Sequence, residues 1–369
     1  MRVHRVPVGA GARGACFRGA VFWAQRVLPR NRDTSILSPE IPPLKHADAK
    51  KIRERRILDL VYVDRQIDKV VASERPDFKL RHRSGRWFGV EIAELYHSET
   101  TARLERISGY REELLSGRGF RHKEDVDRIK VGKVDILNDR REIVYSQVAA
   151  IIHDAPPVAE CARSLAALIC AKTGKLENSL ATLSHINLLI CDRTNVLSTM
   201  PKEEFFRLYY VAELRAAVAA APFREVLFVA KMRDATGFVP LKTLLLMAEV
   251  YFFNAIYTAM ESRGIFAPPR AELEVFGSYF AGRVKGPVLF REAADGTEVI
   301  YGDSGFFVAQ DRSIFVRTYQ DGFFPDDARA PDASLAGRLG SDFMGRLAEL
   351  HASNTFVTPL LFPTKSAHP

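Results

Sequence analysis

Two short, continuous apolar segments, each preceded by a helical pattern, constrain the fold of this chain more than any other feature. Residues 185–191 (HINLLIC) follow an amphipathic stretch at 157–176, and residues 226–230 (VLFVA) follow a helical stretch at about 202–219. Apolar runs of this length are typical of strands buried on both faces of a sheet. Helices that alternate with such strands predict an α/β fold rather than a helix bundle or an all-β fold.

A helix and a hairpin precede these segments. The helical pattern spans about 47–62, and a short apolar run follows at 70–71. Residues 77–83 (DFKLRHR) and 87–96 (WFGVEIAELY) then flank a turn signal at Ser84-Gly85, which predicts two strands of a hairpin. The order helix, hairpin, helix, strand, helix, strand predicts a mixed sheet flanked by helices.

The C-terminal part of the chain shows a different pattern. Residues 240–262 are apolar on nearly every side but include Lys242 and Glu249, so a buried helix is favoured over a membrane span. This helix would lie in the core or at the interface of a homodimer. A small antiparallel sheet is then predicted from five segments: ELEVF (272–276), PVLF (287–290), TEVIY (297–301), GFFVA (305–309) and SIFVRTY (313–319).

Charge is distributed unevenly along the chain. Residues 1–53 hold 11 Lys and Arg but only 3 Asp and Glu, so they carry the whole net charge of +8. This composition predicts a basic disordered tail at 1–46, followed by an α/β core at 47–235 and a small α+β subdomain at 236–369. Within the core, residues 101–150 have nearly balanced charge and are predicted to be helical or looped.

Four cysteines without zinc-type spacing indicate reduced thiols and a cytoplasmic protein. The chain has no glycine-rich loop of P-loop or Rossmann spacing and no G-x-S-x-G motif. The sequence therefore does not indicate a P-loop nucleotide hydrolase or a serine hydrolase. The function must therefore be sought in other residues.

Two acids of the predicted hairpin are candidates for a shared metal ion. Asp77 follows Pro76 at the start of one strand, and Glu91 lies midway along the next. A three-residue loop at 84–86 would place Asp77 opposite Ala93 and one diagonal step from Glu91, so the carboxylates would converge. A two-residue loop would turn Glu91 to the other face unless a bulge intervened. A metal site therefore predicts an odd loop or a bulge.

Two helical residues add to this candidate site. On the helix at 157–176, Lys172 lies at the centre of the apolar stripe, and on the first helix Glu54 shares the stripe of Ile57 and Leu58. Each would face the sheet, where a charge needs a partner. Structural readings stay open for both, since Glu54 could pair with neighbouring arginines on a solvated face and Lys172 could extend to solvent from the last helical turn.

These residues resemble the PD-(D/E)XK nuclease superfamily, whose restriction-endonuclease-like fold has a helix, a three-strand meander, a helix and a strand. The resemblance rests on Pro76-Asp77, on Gly89-Val90-Glu91 and on Glu54, and it covers about residues 48–230. The family's lysine position, two residues after Glu91, is Ala93 here. In some branches the following helix supplies that lysine, and the candidate is Lys172, with Lys175 in reserve.

The resemblance implies phosphodiester hydrolysis of nucleic acid, with DNA preferred, dependent on Mg²⁺ or Mn²⁺. Asp77 and Glu91 would hold the ion with the Ile92 carbonyl, and Glu54 would orient a ligand or bind the ion through water. Lys172 would position the attacking water and balance the developing charge.

Basic residues on the Asp77 strand could contact flanking phosphates. Lys79, Arg81 and Arg83 lie at every second position after Asp77, which places them on the Asp77 face of a strand. They could equally be solvated charges that protect an edge strand from aggregation. For the whole chain, Ala93 supports an alternative, namely an inactive nuclease-like module that binds nucleic acid or protein.

Overall fold

The structure is a computed structural model that describes residues 46–338 with gaps, together with 344–345 and 348–349. The gaps fall at 63–66, 97, 108, 117–121, 126–129, 153–156, 175, 177–182, 195, 197–207, 209–210, 232–235, 247, 250–268, 310–313 and 319–325. The basic tail predicted for 1–46 lies outside the described residues except for its last position, His46, which begins the first helix.

The helices and strands follow one another in this order. The first part of the chain forms α1 (His46–Val61), β1 (Ile67–Ala72), β2 (Phe78–His82), β3 (Trp87–Leu95), α2 (Glu99–Arg106), α3 (Tyr110–Ser116), β4 (Lys130–Leu137) and β5 (Ile143–Ile152). The rest forms α4 (Val158–Thr173), β6 (Ile186–Asp192), α5 (Ala212–Ala220), β7 (Val226–Lys231), β8 (Thr236–Pro240), α6 (Pro269–Ala281), β9 (Val288–Ala293), β10 (Gly296–Tyr301), β11 (Ser304–Ala309) and β12 (Ile314–Thr318).

A mixed sheet of six strands forms the core, in the order β1-β2-β3-β6-β7-β8. β1, β2 and β3 form an antiparallel meander, β3, β6 and β7 run parallel, and β8 is antiparallel to β7. The predicted α/β class with a mixed sheet flanked by helices is confirmed. β8, which the sequence patterns did not reveal, lies beyond the boundary predicted at residue 235 and extends the same sheet.

Helices cover both faces of this sheet. Ile57 and Leu58 of α1 pack with Leu80 of β2 and Val90 of β3 in one apolar cluster. α4 and α5 pack in the other cluster, where Ile169 meets the opposite face of the same strands. All seven residues of β6 are buried, as expected of a strand between two helical layers.

The turn between β2 and β3 sets the register of the hairpin. The backbone N–H of His82 donates to the Arg86 carbonyl at 2.9 Å, which encloses a three-residue loop at 83–85, and Gly85 adopts a positive φ of 85° within it. The predicted odd loop is confirmed, but it begins one residue earlier than expected. Because Phe78 pairs with Val90, Asp77 lies level with Glu91, and its predicted place opposite Ala93 is wrong.

Two other predictions are wrong. Residues 130–152, expected to be helical or looped, form the β4–β5 hairpin, whose turn is closed by Asn138 Oδ1 accepting from the Glu142 N–H at 2.9 Å. The balanced charge of this region concealed its strand pattern. ELEVF (272–276), predicted as a strand, belongs to α6, because Phe276 and Phe280 continue a helical stripe of buried side chains.

The C-terminal region contains a four-stranded antiparallel sheet in the order β12-β11-β10-β9. Four of its five predicted strand segments are confirmed. Buried Glu225, just before β7, accepts a hydrogen bond from the Asp303 N–H in the β10–β11 turn at 3.1 Å. Gly302 is required there, since a Cβ would lie 2.3 Å from Glu225 Oε2. This contact ties the second sheet to the core.

The apolar segment predicted as a helix at 240–262 is described only in part. Residues 241–246 and 248–249 are helical and buried, and the remainder lies outside the described residues. Over the portion of the chain that the structure describes, no helix has the length and apolar character needed to cross a membrane.

Candidate active site

Asp77 lies in a bend directly before β2, where it is 8% exposed. Its Oδ2 accepts a hydrogen bond from the Ile92 N–H of β3 at 2.8 Å. Its Oδ1 lies 3.4 Å from the Lys51 ammonium of α1. The carboxylate is therefore directed at the middle of β3, and it does more than cap the turn that precedes β2.

Glycine at position 89 permits this close approach. A Cβ on Gly89 would lie 2.6 Å from Pro76 Cγ and 3.0 Å from a side-chain carbon of Ile186. Only a residue without a side chain lets the Pro76-Asp77 segment pack directly against β3. The Gly89-Val90-Glu91 motif thus combines a packing requirement with the acid.

Glu91 and Lys172 meet on the α4 side of the sheet. The Lys172 ammonium donates to Glu91 Oε1 at 2.6 Å and to the Ile92 carbonyl at 3.0 Å. Both side chains are about one-fifth exposed, at 19% and 20%. The helical projection that turned Lys172 towards the sheet is confirmed, whereas its reserve, Lys175, lies outside the described residues.

Glu54 reaches the site from α1 and is 6% exposed. Its carboxylate pairs with Lys50 at 3.3 Å and with Lys51 at 3.0 Å. Its partners are two lysines one turn before it on the helix, and the neighbouring arginines that the sequence left open as partners do not take this role. The i,i+3 and i,i+4 spacings to Glu54 mark both lysines as possible partners but do not show which of them reaches the sheet.

Lys51 is the site residue that the sequence analysis missed. Its ammonium lies between Glu54 and Asp77 and also donates to the Ser73 carbonyl at 3.1 Å. Burial opposes the charged form of Lys51, but the hydrogen bond to Glu54 and the charges of Asp77 and Glu54 outweigh it and raise the pKa of the ammonium above its ordinary value. Lys51 thus remains a cation held between two acids.

The backbone of Ile92 joins these groups into one arrangement. Its N–H binds Asp77 on one side, and its carbonyl accepts from Lys172, which also binds Glu91. The structure therefore places Asp77 on the N–H and the Glu91–Lys172 pair on the carbonyl of one residue, and Lys51 links Glu54 to Asp77. Four separate elements supply these side chains.

The donor set suits a hard divalent cation. Two carboxylates, of Asp77 and Glu91, and the Ile92 carbonyl offer oxygen ligands, which Mg²⁺ prefers and completes with water. Within the described ranges, no group of three or more His, Cys, Asp or Glu side chains is placed to hold a metal ion. A metal site here would thus depend on the carbonyl and on water, and the ammoniums of Lys51 and Lys172 now balance the acids.

The residues predicted to contact nucleic acid are placed differently from one another. Lys79 is half-buried and pairs with Gly89, on the face of the sheet that carries Glu91. Arg81 forms an ion pair with Asp68 and lies 5.8 Å from the centre of the Trp87 ring. Arg83 is exposed in the loop, so its predicted place on the strand face is wrong because β2 ends at His82.

The residues at the end of β3 form a separate cluster. Glu94 pairs with Arg193 at 2.8 Å and with Arg53 at 3.4 Å, and it accepts from the Tyr96 hydroxyl at 3.1 Å. Side chains alternate along β3, so Glu94 lies on the opposite face from Glu91, and its partners are separate from those of Asp77 and Glu91. His97 lies outside the described residues.

Chemically, this arrangement can bind a hard cation through oxygen and an oxyanion through lysine. Acids and a lysine at one place are the parts needed for metal-assisted hydrolysis of a phosphate ester. Comparison of the chain with protein-family models, with curated proteins and with solved structures found no match.

Proposed function

We propose that the chain hydrolyses phosphodiester bonds of nucleic acid, with Mg²⁺ or Mn²⁺ held by Asp77 and Glu91. The observation that carries this proposal is the position of the Lys172 ammonium, 2.6 Å from Glu91 Oε1 and 3.0 Å from the Ile92 carbonyl. Ile92 is also the residue whose N–H binds Asp77. A largely buried ion pair between distant parts of the chain is weak evidence for stability, and beside a second buried acid it marks a candidate functional site.

The order of the core elements supports membership of the PD-(D/E)XK superfamily. Apart from α2, α3, β4 and β5, the core has a helix, three antiparallel strands, a helix and a parallel strand, the order expected of that superfamily, with Asp77 before the second strand and Glu91 on the third. In this interpretation α4 supplies the lysine that is missing at Ala93. The contact of Lys172 with Glu91 favours the interpretation that Lys172 takes the role of the lysine expected at position 93.

In the proposed mechanism, each residue has a separate task. A divalent ion bound there would polarise the phosphoryl oxygen and lower the pKa of a bound water. Asp77, fixed by the Ile92 N–H, keeps one oxygen directed away from the backbone. The Lys172 ammonium orients Glu91 and can stabilise negative charge that develops on the phosphate. Glu54 holds Lys51 near Asp77, which limits the repulsion between the acids.

We propose DNA as the substrate and the cytoplasm as the location. The reduced state of Cys161, Cys170 and Cys191 agrees with a reducing compartment. A second function, an inactive nuclease-like module that binds nucleic acid or protein, is favoured by Ala93 and by the lysines that already neutralise the acids.

A cleavage assay on the full chain separates the two functions. Plasmid and linear DNA, with RNA in parallel, are incubated with Mg²⁺, Mn²⁺ or EDTA, and products are resolved by electrophoresis. The nuclease predicts metal-dependent products that disappear in Asp77→Asn and in Glu91→Gln, while the exposed-site control Glu124→Gln keeps wild-type activity. Binding of nucleic acid without a metal ion and without cleavage products would support the inactive module instead.

A further inference from the structure

A shallow groove lies beside the candidate active site, between α1 and the edge of the sheet. Its cavity has a volume of about 440 Å³. The residues that line it come from α1, β1 and β2: Lys51, Ile52, Arg55, Arg56, Val70, Ala72 and Phe78. Three cations thus lie along one wall, above a floor of apolar side chains.

The spacing of these cations follows from the helix. Lys51 and Arg55 are one turn apart and project from the same side of α1, and Arg56, about 100° further round the helix than Arg55, borders the groove on its solvent side. Asp59 pairs with Arg55 at 2.8 Å, and Arg56 is exposed to solvent. Together with Lys50, the cations of this wall outnumber the acids that pair with them (Glu54, Asp59 and Asp77) by four to three, so a positive charge remains for a polyanion. The apolar floor suits the sugars and bases between the phosphates of such a polyanion.

Lys51 belongs to both the groove and the candidate site. Its ammonium lies 3.4 Å from Asp77 Oδ1 and 5.4 Å from the centre of the Phe78 ring, which forms part of the floor. A strand lying in the groove would therefore place a phosphate within one side-chain length of Asp77. Arg53, on another side of α1, is turned towards Glu94 instead.

We propose that this groove binds one strand of the nucleic-acid substrate next to the phosphate that is cleaved, with Lys51, Arg55 and Arg56 as its phosphate contacts. The choice of nucleic acid as the ligand rests on the proposed function, but the test of the groove does not. Binding in the groove requires neither a metal ion nor chemistry, so it can be measured without cleavage.

The test is fluorescence anisotropy of a labelled single-stranded oligonucleotide with the full chain in EDTA, over a series of salt concentrations. The groove variant is Arg55→Gln/Arg56→Gln, and a charge-matched control is Arg111→Gln/Arg140→Gln, two arginines that are also exposed. We expect the groove variant to lose about tenfold in affinity and its salt slope to fall by about 1 to 2, while the control stays within about twofold of wild type.

Equal losses in the groove and control variants, or no binding by the wild-type chain, would overturn the inference. A single variant, Arg56→Glu, covers the case in which the double variant unfolds, and it should weaken binding more than Arg56→Gln does. Cleavage is measured separately. Groove-dependent binding without metal-dependent cleavage would reject the nuclease and leave the groove, and the reverse result would reject only the groove.

Discussion

Two buried aspartates of this protein, Asp125 and Asp77, are held in different ways. Asp125, at the end of a 3₁₀ turn, is fully buried and accepts hydrogen bonds from Thr100 at 2.5 Å, from Arg103 at 2.6 and 3.1 Å, and from Tyr110 at 2.7 Å. Asp77 has one backbone donor and one ammonium at a longer distance. The first carboxylate is saturated by fixed donors, and the second keeps capacity for another ligand.

This difference separates a structural acid from a candidate functional one. Thr100 and Arg103 of α2 and Tyr110 of α3 all depend on Asp125 to satisfy their polar groups, so the carboxylate joins the two helices. Around Asp77 and Glu91 the partners are lysines, whose ammoniums can be replaced by another cation. A carboxylate therefore stabilises the fold at Asp125 and remains available to bind a cation at Asp77 and Glu91.

The same substitution at both aspartates gives the sharpest contrast. Asp125→Asn removes the charge that Arg103 requires and turns an amide N–H₂ towards existing donors, so we expect it to lower the free energy of unfolding by about 3 kcal/mol. Asp77→Asn should change it by less than about 1 kcal/mol, because the amide oxygen can still accept from Ile92. Urea unfolding followed by circular dichroism measures both, and similar losses would remove the distinction.

Lys172→Met tests the candidate site through activity. The variant loses the ammonium that binds Glu91 and the Ile92 carbonyl, so we expect kcat for DNA cleavage to fall about 10²-fold, as when one charge-stabilising donor is removed. Lys123→Met, at an exposed lysine, serves as the matched control. Unchanged cleavage in Lys172→Met would assign Lys172 to structure alone.

The pH dependence of stability should follow Asp125. Burial acts to raise the pKa of this carboxyl, but the hydrogen bonds from Arg103, Thr100 and Tyr110 outweigh it and hold the pKa below its ordinary value of 3.8. A lowered pKa in the folded state contributes stability that is complete above that ordinary value and is lost as the pH falls below it. The urea midpoint should therefore fall more steeply with acid in the wild type than in Asp125→Asn, and parallel curves would contradict this.

Lys51→Met should have the smallest effect and the opposite sign. Removing the ammonium between Glu54 and Asp77 removes a cation that competes with a metal ion, so we expect Mn²⁺ to bind about threefold to tenfold more tightly, or about 1 kcal/mol. Lys50→Met is the control, since Lys50 is 60% exposed and its ion pair among the described residues is with Glu54. Electron paramagnetic resonance of free Mn²⁺ measures both, and weaker binding in Lys51→Met would contradict competition.

The sequence was informative where periodicity determines the outcome. Buried strands 186–192 and 226–231 and the inward face of Lys172 follow from patterns of apolar residues, and all are present. The register of the β2–β3 hairpin was not predictable in the same way, because the Ser84-Gly85 signal marks a turn without fixing the residue that closes it. One residue of difference moved Asp77 from the level of Ala93 to that of Glu91.

Lys51 could not be identified from spacing alone. α1 offers several cations around Glu54, and only the path of the chain through Pro76 and Asp77 decides which of them reaches the sheet. The β4–β5 hairpin was missed for a related reason, since balanced charge is common to solvated helices and to exposed strands. Tertiary contacts, rather than local preference, determine these features.

The central claim is that Asp77 and Glu91 together hold one divalent ion. Isothermal titration calorimetry of the full chain with Mn²⁺ tests this claim without relying on turnover. The account predicts a single site per chain in the wild type that weakens at least about tenfold in Asp77→Asn/Glu91→Gln, with no change in Glu124→Gln. Equal Mn²⁺ binding by the wild type and the double variant, or none by either, would contradict it.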